Sequence, residues 1–222
     1  SIDDLEWQPC PSGWGEPFLP RAAASWTDQP RLVDLFPWQH SGMQVKRTWP
    51  IAPTKDTLEE RWRRLLTADD RAAAFRETRD RKVSSRPKDL WSDQRLDPLD
   101  SLGKQEPMPR LERYAYRAFD RQWVIADPRL ADYCRPELWR SSSERQVYFT
   151  SILTEVLGPG PALVAAANVP DLHHFSGRGA KDVIPMLRTP DGEPNVTVGL
   201  LPRLSELLGF EVGADELFAY AY

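Results

Sequence analysis

The stretch RYAYRAFDRQWVIADPR, residues 113–129, alternates aromatic, small and charged side chains, and this pattern predicts two neighbouring β-strands. Its four aromatic residues are expected to lie in the core rather than to form a platform for stacking on bases: Tyr114, Tyr116, Phe119 and Trp123. Arg117 and Arg121 lie between them, where they either pair with Asp120 or reach outward. The stretch therefore predicts a central sheet with charged residues along it.

Further patterns on both sides extend this prediction. β-Branched and aromatic runs predict strands within 145–153, 161–169 and 183–187, and short strands are expected near Leu32–Phe36 and Met43–Trp49. Apolar residues at helical spacing predict helices within 56–66, 71–80, 200–208 and 214–222. The fold class predicted is α+β, with a mixed, largely antiparallel, strand-rich centre and flanking helices.

Capping patterns place the helix ends. Asp56 with Glu59, and Thr67 with Asp70, are arranged as capping boxes before the first two helices. Gly209 is expected to end the third helix.

Two segments differ in composition. Residues 1–53 are rich in Pro and Trp and are interpreted as an irregular arm, whereas residues 54–222 are interpreted as the domain itself. The last helix has no stop pattern and ends on aromatic residues, which predicts that the domain is truncated at its C-terminus.

The overall composition is that of a globular protein. The 222 residues include only two cysteines, without C-x-x-C spacing, and the acidic N-terminus does not resemble a targeting peptide. No apolar run approaches the roughly 20 residues that a membrane span needs. We expect a cytoplasmic, reduced protein with no membrane partner.

Charge is unevenly distributed. The net charge is −4, yet residues 41–90 carry 13 basic and 8 acidic side chains between more acidic ends. A basic central segment is typical of nucleic-acid binders, although the net negative charge argues against that class.

Common catalytic motifs are absent from the sequence. It contains no G-x-x-x-x-G-K-[ST] phosphate loop, no Gly-rich dinucleotide turn and no G-x-S-x-G elbow. We therefore expect no catalytic residues and no cofactor in this segment.

The polar stretch DLHHFSGRG, residues 171–179, leaves several interpretations open. Adjacent histidines diverge on a strand or a helix, so His173 and His174 are poorly placed to share a metal, and we expect no metal site. A general base acting with Ser176 is a second alternative, and a turn capped by Asp171 is a third. In a fourth, the side chains of His174, Ser176 and Arg178 contact a polar ligand such as a phosphate or a guanine edge.

Other basic residues have two interpretations each. Lys46 and Arg47 form either a solvated strand edge or a phosphate contact. Arg79, Arg81 and Lys82 either complement a helix C-terminus or follow a nucleic-acid backbone.

Three blocks in order resemble the C-terminal specificity region of type ISP restriction–modification enzymes. YRAFDRQWVIADPR (116–129), with RPELWR (135–140) after it, is similar to that family's Tyr-Arg-Pro-Phe-Asp-x-Arg block. GMQVKRTW (42–49) and DLHHFSGRGAKDVIPMLR (171–188) resemble the blocks before and after it. Departures include Ala118 in place of Pro and Gln122 within the block.

The resemblance implies a target-recognition domain that recognises double-stranded DNA for other domains of one long polypeptide. In that family those domains are a nuclease, an ATP-driven motor and an adenine-N6 methyltransferase that uses S-adenosylmethionine, and ATP and Mg²⁺ are implied for the parent enzyme. The arm of residues 1–53 would connect from the methyltransferase domain.

We therefore consider sequence-specific DNA recognition first, a module that docks a methyltransferase or motor subunit second, and a hydrolase centred on His173, His174 and Asp171 third. The residues expected to contact DNA are Lys46, Arg47, Arg79, Arg81, Lys82, Arg117, Arg121, His174, Ser176, Arg178 and Lys181.

Overall fold

A computed structural model describes residues 29–153, 162–175 and 177–222. The helices are α1 (Leu32–Leu35), α2 (Lys55–Thr67), α3 (Arg71–Phe75), α4 (Pro136–Arg140), α5 (Leu200–Leu208) and α6 (Ala214–Ala221), with a 3₁₀ turn at Leu99–Ser101. The strands are β1 (Ile51–Ala52), β2 (Leu111–Arg117), β3 (Asp120–Ile125), β4 (Tyr148–Ser151), β5 (Val164–Ala166), β6 (Val169–Pro170) and β7 (Asp182–Pro185). The predicted α+β class, with mostly antiparallel strands, is confirmed.

The strands form two sheets. The first has the order β1-β3-β2-β6, in which only the β2–β6 pair is parallel. The second has the order β5-β4-β7 and is antiparallel throughout. The predicted strand at 161–169 is thus two strands in different sheets, because β5 pairs with β4 whereas β6 pairs with β2.

The opening stretch forms a hairpin, as its pattern predicts. Arg117 pairs with Asp120, so the connecting loop has two residues, and a bulge at Tyr116 shifts the register of β2. The bulge increases the local twist and changes where the loop points. The hairpin therefore projects its tip away from the sheet core.

Each sheet has a helical cover. Leu58, Trp62 and Leu65 of α2 pack with Ile125 in one cluster against the first sheet. On the second sheet, the Phe149 ring stacks on Phe218 of α6, with 3.6 Å between the ring centroids. A third cluster lies between the sheets and contains buried residues of both, among them Tyr114 and Tyr148.

Two predictions for the N-terminal segment are wrong. Leu32–Leu35 is a helical turn rather than a strand, because the Asp34 carboxylate accepts a hydrogen bond from the Arg31 N–H and satisfies the helix start. Residues 43–49 do not form a strand; Met43 and Gln44 make isolated bridges, and Lys46 then adopts a positive φ of 60°.

The helix ends differ in part from the predictions. Thr54 rather than Asp56 caps α2, and its hydroxyl accepts from the Thr57 N–H at 3.4 Å. The capping box predicted for Thr67 and Asp70 is wrong, because Thr67 ends α2 and Asp70 is itself the N-cap of α3. Helix α3 ends at Phe75 because Arg76 turns into the left-handed region at φ 54°. The Gly209 stop is confirmed, with φ 77°.

Helix α4 was not predicted. Pro136 is its first residue, a position that proline favours, and the helix contains only five residues. A helix this short leaves too little periodicity to recognise in the sequence.

Asn195 ties the N-terminal segment to the second sheet. Its side-chain oxygen accepts from the Trp38 N–H at 2.9 Å, and its NH₂ donates to the carbonyls of Trp38 and Pro185 at 2.7 and 2.8 Å. Asn195 is fully buried. It therefore replaces backbone pairing where the segment lacks a strand.

Replacing Asn195 with Ala leaves these buried backbone groups without partners. We expect Asn195→Ala to lower the free energy of unfolding by about 2–4 kcal/mol, measured by urea denaturation. The exposed-residue control Gln94→Ala should change it by less than about 0.5 kcal/mol. Equal effects of the two substitutions would contradict the assigned role of Asn195.

Candidate nucleic-acid interface

The carboxylate of Asp171 lies directly after β6 and is buried, with 4% of the residue exposed. Tyr114 donates its hydroxyl to one carboxylate oxygen at 2.5 Å, and Arg117 donates to the other at 2.9 Å. The backbone N–H of His173 also donates to it, at 2.8 Å. Burial, followed by the nearby carboxylate, raises the pKa of Tyr114 well above its usual value, so the phenol stays protonated and able to donate.

A cavity of about 420 Å³ opens beside this carboxylate, and we call it the Asp171 cavity. Lys46, Arg47, Arg117 and His173 line it, together with Gln44, Val45, Thr48, Tyr116 and Asp171. The guanidinium of Arg117 lies over the Tyr116 ring, 3.9 Å from its centroid. Stacking and ion pairing together hold Arg117 at the cavity wall.

Three of the predicted cations form ion pairs with two aspartates at one edge of this cavity. Lys46 Nζ lies 2.9 Å from Asp132 and 3.6 Å from Asp80. Arg79 Nε lies 3.3 Å from Asp80, and Arg81 Nε lies 3.4 Å from Asp132. The hydrogen bond that the Lys46 ammonium donates to Asp132 is the main cause that raises the pKa of Lys46. Three positive charges therefore face two negative ones.

The cavity of about 640 Å³ next to it, the Arg61 cavity, is lined by four arginines. These are Arg47, Arg61, Arg64 and Arg76, with Trp49 and Phe75 among the other lining residues. The Arg47 guanidinium lies 3.9 Å from the Phe75 ring centroid and donates to the Phe75 carbonyl at 3.1 Å. Partial burial lowers the pKa of Arg47.

Sequence analysis missed Arg61, Arg64 and Arg76. Arg61 and Arg64 lie three positions apart, on one face of α2, and Arg61 donates to the carbonyls of Trp49 and Ile51. That spacing was the only sequence pattern that could have indicated Arg61 and Arg64 as site residues, and it is equally typical of a solvated helix face. Arg76 reaches the cavity because α3 ends one residue before it.

A third cavity of about 250 Å³, the hairpin cavity, lies beside the tip of β2 and β3. Its lining includes Arg117, Phe119, Arg121 and His174 on one side and residues 164–168 on the other. Phe119 is fully exposed, with a relative accessibility of 108%, so its predicted place in the core is wrong. The two-residue loop turns this side chain away from the sheet.

His174 points inward. Its Nδ1 lies 3.0 Å from the Ala115 carbonyl, which can only accept, so Nδ1 carries the proton. Its own carbonyl accepts from the Ala118 N–H at 2.5 Å. Burial lowers the pKa of His174. The side chain thus positions the hairpin, although its ring also lines the hairpin cavity.

The turn interpretation of residues 171–179 agrees with these contacts, because Asp171 accepts from the His173 N–H and its carbonyl accepts from the His174 N–H. Gly179 lies against Phe175, where an added Cβ would clash with the Phe175 carbonyl. Within residues 29–153, 162–175 and 177–222, no group of three or more His, Cys, Asp or Glu side chains is placed to hold a metal ion.

Three of the predicted residues lie in or beside this loop. Arg178 is exposed and Lys181 is half-buried, and Ser176 lies outside the described residues. Lys82 is exposed in the loop after α3. The structure does not place Lys82, Arg178 or Lys181 in the lining of the three cavities.

Four of the predicted cations line these cavities and belong to one connected surface, whereas Arg79 and Arg81 do not line them. Arg47 lines both the Arg61 cavity and the Asp171 cavity, and Arg117 lines both the Asp171 cavity and the hairpin cavity. We call the basic lining residues of the three cavities the cationic surface: Lys46, Arg47, Arg61, Arg64, Arg76, Arg117 and Arg121. In the part of the chain that is described, no helix is both long and apolar enough for a bilayer span.

An α+β fold with arginines along adjoining cavities defines a domain suited to bind an anionic partner. The family model for the Type ISP C-terminal specificity domain matches residues 34–222, and the chain belongs to this family. No curated protein matches the chain.

Solved structures that share the fold include two complexes with DNA or a DNA mimic. One is a nuclease-deletion mutant of the Type ISP restriction–modification enzyme LlaGI in complex with a DNA substrate mimic, with a TM-score of 0.50 and 13% identity over 88% of this chain. The other is the DrdV–DNA complex, determined by cryo-electron microscopy, with a TM-score of 0.53 and 17% identity over 100% of this chain. The matched regions cover 17% and 24% of those two chains, so this chain corresponds to a fraction of each.

Removing the buried carboxylate tests the Asp171 network. We expect Asp171→Ala to lower the free energy of unfolding by about 3 kcal/mol, because it leaves the Tyr114 hydroxyl and the Arg117 guanidinium without their acceptor. Urea denaturation measures the change. Asp93→Ala is the control, since the Asp93 side chain is 81% exposed, and a loss as large for this variant would show that the assay does not report the network.

The buried histidines predict how stability depends on pH. Burial lowers the pKa of His174 and of His40 below the ordinary 6.5. The unfolded chain therefore takes up protons first, and the free energy of unfolding should decrease as the pH falls below about 6.5.

Urea denaturation between about pH 7.5 and pH 5.5 measures this slope above the main range of carboxylate titration. In His174→Asn an amide N–H can still donate to the Ala115 carbonyl but the titrating group is gone, so the slope should be smaller. An unchanged slope in His174→Asn and in His40→Asn would contradict the prediction.

Proposed function

We propose that this chain recognises a DNA target sequence for a Type ISP restriction–modification enzyme. The observation that carries the proposal is the cationic surface, in which cations from five separate segments line three adjoining cavities. Family membership supports the proposal, and the two solved structures described above are complexes with DNA or a DNA mimic.

The three cavities suit different parts of a duplex. In the Arg61 cavity, the guanidinium of Arg47 lies against an aromatic ring and that of Arg61 against backbone carbonyls, and this partial burial suits both to hold phosphates. Arg117 and Arg121 flank the projecting hairpin tip, which suits them to approach base edges in a groove. Phosphate contacts would set the position of the domain, and base contacts would specify the sequence.

The exposed loop residue Arg178, with Ser176 and Lys181, remains part of the proposed contact set. Arg178 lies between Gly177 and Gly179 in the sequence and is exposed, so its side chain is available to contact a second groove or strand of the DNA. Arg79, Arg81 and Lys82 would follow the backbone beyond the Asp171 cavity. Arg79 pairs with Asp80 and Arg81 with Asp132, so a phosphate must compete with a carboxylate at these two residues.

Catalysis would be performed by other domains of a longer polypeptide. The proposal assigns adenine-N6 methylation with S-adenosylmethionine and cleavage driven by ATP and Mg²⁺ to those domains, with residues 1–53 as the connection from the methyltransferase and residues 54–222 as the recognition domain. Such an enzyme would act on DNA in the cytoplasm.

A second surface favours docking to neighbouring domains. Helices α5 and α6 and the turn between them leave large apolar side chains exposed: Leu207, Leu208, Phe210 and Tyr220. A group of exposed apolar residues on one side of a fold is typical of a protein interface. This surface lies on the helices of the second sheet, whereas the cationic surface lies on elements of the first sheet and the loops around it.

Salt dependence of binding tests the proposal. We expect the chain to bind duplex DNA of random sequence with an affinity that falls steeply as salt rises, because bound phosphates release their counterions. Replacing the exposed Arg121 with Gln should reduce the slope of log K against log salt by about 0.9 if it contacts one phosphate. If Arg121 contacts a base instead, the slope should stay the same and the preferred sequence should change.

The control for this experiment is Arg203→Gln, since Arg203 is exposed on α5 and lies outside the lining of the three cavities. Fluorescence anisotropy at several salt concentrations gives both slopes. Weak binding of the unaltered chain with no salt dependence would contradict the proposal and favour the docking function. If Arg121→Gln and Arg203→Gln had equal effects, the cationic surface would not be the surface that binds DNA.

A further inference from the structure

The tip of the β2–β3 hairpin combines two unfavourable features in one residue. Phe119 has its side chain fully exposed to water, although apolar groups of this size are normally buried. Its backbone is also in the left-handed region, with φ 65°, where bulky residues are rare and glycine or asparagine is usual. Neither feature stabilises the domain by itself.

Backbone strain at an exposed side chain points to a function in binding. A glycine at position 119 would relieve the strain and remove the exposed ring, and the fold would lose no packing contact. The phenylalanine is therefore explained by a contact that forms only with a partner.

The chemistry around the ring indicates which partner this is. Arg117 and Arg121 line the same cavity as Phe119, and both are cationic. The nearest acid in the chain, Asp120, is engaged by the side-chain NH₂ of Gln122 at 2.5 Å. An exposed aromatic ring in the same cavity lining as two arginines matches a nucleobase next to phosphates, because every base offers a π face and every nucleotide carries a negative charge.

The tip is held firmly behind the ring. The Ala118 N–H donates to the His174 carbonyl at 2.5 Å, and His174 Nδ1 donates to the Ala115 carbonyl at 3.0 Å. Arg117 is fixed by Asp171 at 2.9 Å on the same side. Because the backbone that carries the ring is already ordered, inserting the ring costs little conformational entropy. This suits it to act as a wedge between stacked bases.

We infer that the ring of Phe119 inserts at a base step of the target duplex and stacks on a nucleobase that has lost one of its neighbours. This inference rests on the proposed function, since it requires the cationic surface to bind DNA. It assigns Phe119 a part in specificity, because steps that unstack easily are favoured sites for insertion.

Duplexes that contain 2-aminopurine test the inference, since this base fluoresces more strongly when it is unstacked. Selection from a random duplex pool with the unaltered 222-residue chain supplies the target, and 2-aminopurine is then placed at each position in turn. Binding should raise the fluorescence at one step. Phe119→Gly should abolish that rise, and Phe119→Trp should retain it.

The glycine variant also separates binding from folding. Phe119→Gly should weaken binding to the selected duplex by roughly 5- to 150-fold, as loss of one base–aromatic stack predicts. Its Tm should rise by roughly 2–4 °C, the change expected for relief of a strained residue in a domain of this size. The slope of affinity against salt should stay the same, because no phosphate contact is removed. Tyr220→Ala, at an exposed aromatic residue of α6, is the matched control and should leave DNA binding unchanged.

Each other outcome has a defined meaning. If Phe119→Gly binds the selected duplex as tightly as the unaltered chain, with the same fluorescence profile, the inference is wrong and the proposed function stands. If Phe119→Gly lowers the Tm and leaves the DNA affinity unchanged, Phe119 has a packing role and the inference is wrong. If the unaltered chain selects no sequence and binds without salt dependence, the proposed function fails, and the inference fails with it.

Discussion

The buried carboxylate of Asp171 is the constraint on which the rest of this structure depends. A charge inside a protein is tolerated only when hydrogen-bond donors surround it, and here the donors come from β2 and from the loop after β6. Backbone bonds at the same point join Met43 to Pro170 and to Leu172, so the N-terminal segment is held to the same loop. One side chain thus places the first sheet, the segment before β1 and the histidine loop in a single arrangement.

The same interaction prepares the surface for its partner. Arg117 is held by the carboxylate on one side and by the Tyr116 ring on the other, so its guanidinium is oriented before any ligand arrives. Lys46 and Arg81 are oriented in a similar way by Asp132. The cost of this order is partial neutralisation, because each acid that positions a cation also reduces the local positive potential. The surface therefore favours a ligand with many regularly spaced charges, which can contact several cations at once.

The sequence pattern predicted the hairpin and both C-terminal helices from their periodicity, and the strands of the second sheet from their apolar and β-branched runs. It did not predict where one strand ends and another sheet begins. The run at 161–169 is uniformly small and apolar, and only pairing with β4 and with β2 divides it. The helical turn at Leu32–Leu35 was missed for a related reason, since a contact between Arg31 and Asp34 outweighs the strand propensity of four residues.

The candidate site was predictable by residue type but not by geometry. The basic residues between 41 and 90 indicated a nucleic-acid surface, yet nothing in the sequence distinguished Arg61, which lines a cavity, from Arg63, which pairs with Glu60 on the exposed side of α2. Likewise, the aromatic residues of β2 and β3 appeared equivalent. Their places in the hairpin separate them, because Tyr114 packs in the core from β2 whereas the two-residue turn exposes Phe119.

Among the strands of residues 29–153, 162–175 and 177–222, β5 pairs with β4 alone, and its residues form the far wall of the hairpin cavity. Substitutions there meet fewer constraints than in a central strand, since a central strand is paired along both edges. Lineages that acquire a new restriction specificity would therefore be expected to diversify at residues 164–168 while the opposite wall stays constant. In this way the domain could change the site that it recognises without changing how it folds.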